Sequence, residues 1–246
     1  MATKPKTTDI AVKAATNIVS LKEAMAAQIA DIGNRTQPAS GSAIRITQDK
    51  QFALPDGTKT PGPLQLVVVD FASKNVYYET GFDPKNIVPP NCFAMGSNPL
   101  KLIPSARAPD VQAKDCASCS MNAFGSKGKG KACSNTRVLA VLPPDANADT
   151  PMWLLSVSAT AVKGFDGFVG AVARVFQTPP VGVVVTVGFN PNETYAQLTF
   201  SDPQANVNLT DHFARQAEAQ TMLAVEPDVS KFVKPTRGRV TAGARR

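Results

Sequence analysis

The chain has 246 residues and a single histidine, His212, and that scarcity weighs against catalysis from the start. No Ser/His/Asp grouping, no paired acids in a pocket motif and no nucleotide fingerprint stand in its place, so nothing in the sequence recommends an enzyme. His212 sits beside Asp211 in a helical segment far from any other ligating residue, and it reads as a satisfied surface side chain. Long apolar runs are also missing. No stretch of about 18 such residues could span a bilayer, and the leading MATKPKTTD lacks the apolar core of a signal peptide. The expectation is a soluble, cytoplasmic protein without membrane contact. Acidic residues are scarce where basic ones collect. From Lys101 to Arg137 two acids face seven bases, and from Lys231 to Arg246 no acid faces six, so these patches hold nearly all the formal charge of +7. Clustered Lys and Arg release counterions when they neutralise phosphates, which makes a polyanion the expected partner.

Cysteine is sparse but concentrated: Cys92, Cys116, Cys119 and Cys133 all fall within one Pro-, Gly-, Asn- and Lys-rich stretch with no sustained periodicity. A loop that long needs something other than a hydrophobic core to order it. The CxxC at Cys116 and Cys119 lets two thiolates of one tight knuckle share an ion, with Cys92 and Cys133 closing a tetrahedron. One structural zinc is therefore expected. An iron–sulfur cluster also takes four thiolates, and a redox CxxC is a further alternative. Four protein ligands leave no open position, so catalytic zinc is disfavoured.

Hydrophobic patterning gives the frame. Residues 1–9 read as disordered, and 10–34 as a helix stopped by Gly33 and Asn34. Ala43 to Leu54 alternates, LQLVVVDF from Leu64 is a dense β-branched run, and Ser73-Lys74-Asn75 looks like a turn leading into VYYET. The insertion spans 82–135. Strands are then expected in TRVLAVLPP and from Met152 to Ser158, followed by a helix from Ala159 to Gln177 that Pro179-Pro180 stops. Two more strands, Val181 to Phe189 and Tyr195 to Phe200, precede a helix from Leu209 to Ala224 capped by Asn208, and 226–246 is a basic flexible tail. Short strands without βαβ alternation predict an α+β, mainly β fold over 41–225. The form expected is an OB-like, partly open barrel with a zinc-binding insertion and flanking N- and C-terminal helices, with a generic α+β sandwich as the alternative.

Inside the insertion, GSKGKGK from Gly125 to Lys131 mimics a P-loop, but Ala132 stands where the Mg²⁺-binding Ser/Thr belongs and no buried strand precedes it. Three alternating lysines on a flexible backbone suit a sugar–phosphate chain instead. Lys127, Lys129, Lys131, Arg137, Lys101 and Arg107 are the expected backbone contacts. Aromatics on a strand's open face are platforms for unpaired bases, so Tyr77 and Tyr78, which must point to opposite faces, complete the candidate site. Trp153, Phe165, Phe168 and Phe176 read as core.

The segment DCASCSMNAFGSKGKGKACSNTRVLAVLP, with PPNCFA upstream and LLSVSATAVKGFDGFV downstream, resembles a group of tailed-phage and prophage single-stranded-DNA-binding proteins over most of residues 50–225. The resemblance implies a phage replication or recombination accessory with an OB-like core and a metal-binding insertion, and phage replication proteins as partners. One departure stands out: such binders commonly end in an acidic tail, whereas this chain ends KPTRGRVTAGARR. The combined expectation is a non-enzymatic protein that binds single-stranded DNA with little sequence preference. The alternative is a zinc-containing protein-interaction factor, a transcription or virion component.

Overall fold

The computed structural model of the chain describes residues 42–81 and 88–229, which belong to one compact unit beginning at Ser42. The expected helix over 10–34 and all but the start of the basic tail lie outside the described residues. A curled, open half-barrel sheet dominates the fold, which is α+β and mainly β. Its strands are β1 (Ala43–Ile46), β2 (Phe52–Ala53), β3 (Lys59–Thr60), β4 (Leu64–Tyr77), β5 (Cys92–Gly96), β6 (Cys133–Leu142), β7 (Trp153–Val157), β8 (Val183–Phe189) and β9 (Leu198–Ala205). They lie in the order β3-β2-β1-β7-β6-β4-β8-β9, with β5 also on β4. The helices are α1 (Val162–Val175), α2 (Leu209–Ala214) and α3 (Gln216–Leu223).

β4 organises the sheet. Its start pairs with β8 from Leu64 to Val67, its end pairs with β5 from Ser73 to Tyr77, and β6 runs antiparallel along its other edge from Val67 to Tyr77. A register shift between Val68 and Asp70 marks a bulge, which bends a strand and adds twist. The turn expected at Ser73-Lys74-Asn75 does not form. Partners on both edges satisfy the backbone there, and that ladder outweighs the local turn preference of Ser and Asn.

Both faces of the central strands are covered, which is why LQLVVVDF and RVLAVL read as continuous apolar runs rather than alternations. On one face Leu66, Val68, Leu139, Val141, Leu155, Val157 and alternate valines of β8 pack against Phe165, Phe168 and Val172 of α1. The three- and four-residue steps of those helical side chains put them on one stripe. On the other face Val69, Ala72, Val138, Ala140 and Leu142 meet Ala219 and Leu223 of α3. Phe165 is fully buried with Phe71 edge-on at 5.1 Å, whereas Phe176 lies just past α1, is 37% exposed and is not a core residue.

The single helix expected from Leu209 to Ala224 is broken at Arg215, which has φ −90° and ψ 9°. Its guanidinium grips Glu218 at 2.8 Å and donates to the Thr150 carbonyl at 2.6 Å, tying the kink to the turn before β7. Asn208 is the N-cap residue of α2, as expected, and its carbonyl accepts from His212 N–H, but its side chain makes no capping bond and its amide donates instead to the Pro144 carbonyl. His212 is a buried residue, not a surface one, at 1% exposure. Its Nε2 bonds to the Ala146 carbonyl and its Nδ1 to the Asn206 amide, so both ring nitrogens are satisfied.

Candidate nucleic-acid interface

The insertion enters the sheet before it leaves it. β5 is the first strand of the insertion among the described residues and adds to the end of β4, so the chain joins the frame at Cys92 and again at Cys133. Both cysteines lie directly across from Tyr77, one on each side of β4. They are therefore two strand spacings apart, about 9.5 Å, and the Tyr77 side chain projects between them on the same face.

Between β5 and β6 the chain lacks regular structure apart from a 3₁₀ turn at Ser120–Asn122. Polar bonds hold it in place. The Cys116 N–H donates to the Leu102 carbonyl, Ser105 N–H to Phe93, Asp110 N–H to Asn91, and the Asn122 amide to the Cys116 carbonyl at 2.6 Å. Its apolar anchor is small: Ala94, Leu102 and Cys116.

All four cysteines line one cavity of about 20 Å³ with Asn75, Tyr77, Phe93 and Met121. They are free thiols, and Cys92, Cys116 and Cys133 are buried. Burial, and then the neighbouring thiols, push Cys133 up from 9.0 to about 12. Burial also raises Cys116, against a hydrogen bond from the Asn75 side chain. These two stay protonated near neutral pH and pack as small apolar groups. Among the described residues, no three or more His, Cys, Asp or Glu side chains are grouped so as to hold a metal ion. The expected structural zinc is therefore not supported, and neither is the iron–sulfur alternative. The two outer cysteines begin on opposite flanks of Tyr77, and hydrogen bonds order the segment that the metal was invoked to order.

The expected DNA contacts divide into two groups. Lys101, Arg107, Lys127 and Lys129 are exposed, Arg107 with a weak contact to Glu226 at 3.8 Å. Lys127 and Gly130 form a β-bridge, and Gly125 and Gly128, at φ +89° and +59°, supply the left-handed turns that this tight hairpin requires. Lys131 is half-buried and donates to Asn122 Oδ1 at 3.2 Å and Asn135 Oδ1 at 3.1 Å, so it fastens the hairpin to β6. Arg137 is buried and pairs with Asp166 through two bonds of 3.2 and 2.8 Å. Of the tyrosines, Tyr78 is 45% exposed while Tyr77 is half-buried over the thiol cavity. Tyr77 is the last residue of β4, and Tyr78 lies just past it.

Sequence reasoning passed over Phe124. Its ring is 82% exposed, and the Lys131 ammonium sits 4.9 Å from the ring centroid. The available signal was an aromatic at the head of the Gly/Lys run Gly125 to Lys131. Comparison with protein-family models, with curated proteins and with solved structures finds no match to this chain. Among the described residues, no helix is long and apolar enough to cross a membrane.

Proposed function

We propose that the protein binds single-stranded DNA without catalysis, through the hairpin between β5 and β6. The observation that carries this reading is Phe124, a large aromatic held in the open beside exposed Lys127 and Lys129. Base–aromatic stacking tolerates any base and is worth about 1–3 kcal/mol per base, while lysines track the phosphates. A flat open ring and mobile ammonium groups suit an unpaired strand, whose bases are free to stack, better than a duplex. The curled half-barrel supports the OB-like platform expected from the sequence, and the resemblance to tailed-phage proteins makes replication or recombination its context. Fluorescence titration of oligo-dT and of a duplex at two salt concentrations tests the proposal. Tight, salt-sensitive binding to oligo-dT alone is expected. Replacing Lys127 and Lys129 together by alanine should reduce the log–log salt slope by about 1.4, the share of two single-strand phosphate contacts. An unchanged slope removes the hairpin from the reading.

Leu100 and Ile103, 81% and 69% exposed on the same segment, favour a second reading as a protein-interaction surface. A stable co-purifying protein together with no binding to either nucleic acid would select it.

A further inference from the structure

The face of β4 that covers α1 changes character beyond Phe71. The next residues on that face are Ser73 and Asn75, only 1% and 5% exposed, and Arg137 lies directly across from Ser73 on β6. Asn75 bonds to Cys116, but Ser73 Oγ is a buried oxygen with no hydrogen-bond partner among the described residues. A buried hydroxyl left unpaired costs on the order of 1–3 kcal/mol, so such a group is rare in a folded protein unless something else meets it. Ser73 lines a cleft of about 310 Å³ between α1 and the start of the insertion, together with Phe71, Ser97, Pro99, Arg137, Asp166 and Val169.

The polar groups of this cleft specify what fits. Arg137 commits Nε and Nη2 to Asp166 and Nη1 to the Thr136 carbonyl. Three of its five N–H groups are so used, and two remain. Asp166 is 46% exposed at the mouth and cancels the guanidinium charge, so a phosphate entering the cleft would meet a carboxylate rather than a free cation. A neutral group is favoured, one that offers a carbonyl oxygen to the Arg137 and Ser73 donors and a flat apolar body to Phe71, Pro99 and Val169.

We propose that this cleft seats one unstacked, carbonyl-bearing base of the bound strand, with Ser73 Oγ and the spare Arg137 N–H groups donating to its keto oxygen. The inference rests on the proposed single-strand binding. Lys101, exposed and two residues beyond Pro99, is the cation this reading offers to the flanking phosphate.

Thymine carries keto oxygens and adenine has none, so the test is competition between oligo-dT and oligo-dA for the full-length chain. The wild-type protein should prefer oligo-dT. Ser73→Ala should weaken oligo-dT roughly three- to tenfold, the worth of one hydrogen bond, and leave oligo-dA unchanged. The same variant should not lower the melting temperature, because the hydroxyl it removes has no partner in the fold. Ser97→Trp, at the exposed mouth, should abolish the preference by filling the cleft. Equal oligo-dT affinity for wild type and Ser73→Ala overturns the cleft alone, provided that Lys127→Ala with Lys129→Ala still weakens binding. Absence of oligonucleotide binding by the wild-type chain overturns both this inference and the proposed function.

Discussion

Two regions of this molecule are held together by different physics. The central sheet is apolar on both faces, and its β4, β6 and β8 side chains interlock with α1 and α3 around residues of 0–5% exposure such as Leu139, Val141, Phe165 and Leu223. Between β5 and β6 the chain exposes Leu100, Ile103 and Phe124 and takes its shape from hydrogen bonds, left-handed glycines and a four-thiol cavity. The core derives stability from area removed from water, whereas the insertion derives geometry from directional bonds that each contribute little net free energy. The proposed strand-binding surface lies on the second kind of structure, where Phe124, Lys127 and Lys129 remain in solvent.

The largest break in this comparison comes from the core. Phe165 is fully buried and touches the rings of Phe71, Phe168 and Phe200 at centroid distances of 5.1, 6.3 and 5.1 Å. Phe165→Ala should cost about 3–5 kcal/mol, through lost transfer free energy and the cavity left behind. Urea denaturation measures it. Affinity for oligo-dA, which needs the hairpin and not the base cleft, should be unchanged when measured well below the melting temperature, because no described residue of the insertion belongs to the cluster around Phe165. A parallel loss of affinity would show that the two regions are coupled.

The same contrast decides what is legible in the sequence. Strands and α1 are legible because burial imposes a period: RVLAVL is a doubly covered strand, and Phe165, Phe168 and Val172 are spaced for one helical stripe. Ser73-Lys74-Asn75 misleads because turn preference is local, whereas the pairing that overrides it comes from β5 and β6, whose partner residues lie about 20 and 60 positions away. The kink at Arg215 depends on carbonyls of Asn147 and Thr150, again invisible to a local window. At the candidate site, exposed Lys127 and Lys129 are readable from composition. The inward roles of Lys131 and Arg137 are not, since a cation's partner is a tertiary fact. Cysteine spacing suggests a metal because four thiols in a poorly patterned loop have, in one dimension, no visible core to join. Strand register gives them one, placing two thiols on the flanks of Tyr77 as packing groups.

The thiol cavity sharpens the comparison at an intermediate scale. Cys133 has a folded pKa of about 12 against an ordinary 9.0, and Cys116 is shifted in the same direction. The folded state thus holds protons that the unfolded chain has already released between those values. Stability from this source is complete below about pH 9 and is lost as pH rises toward 12. The expected loss across that window is on the order of 1–2 kcal/mol, discounted for partial solvent screening. Urea midpoints at pH 8 and pH 10.5 for wild type and Cys133→Ala provide the measurement. The variant should lose less stability between the two pH values, and an identical loss would locate the pH dependence elsewhere.

The smallest effect on stability should accompany a clear effect on binding. Phe124 is 82% exposed and belongs to no hydrophobic cluster among the described residues, so Phe124→Ala should shift stability by less than about 0.5 kcal/mol, as surface substitutions do. Lys131 loses a ring contact but keeps its bonds to Asn122 and Asn135, so the hairpin stays fastened to β6. If a base stacks on the ring, affinity for oligo-dT should fall by about 1 kcal/mol, at the low end for stacking because the ring is open to water on every side but one. Phe124→Trp should retain or improve binding. It would also place a second tryptophan in a chain that has only Trp153, at the site itself, where quenching by oligo-dT reports contact directly. Loss of stability without loss of affinity in Phe124→Ala would reverse the assignment, making the ring a structural part of the hairpin and leaving the lysines alone to hold the strand.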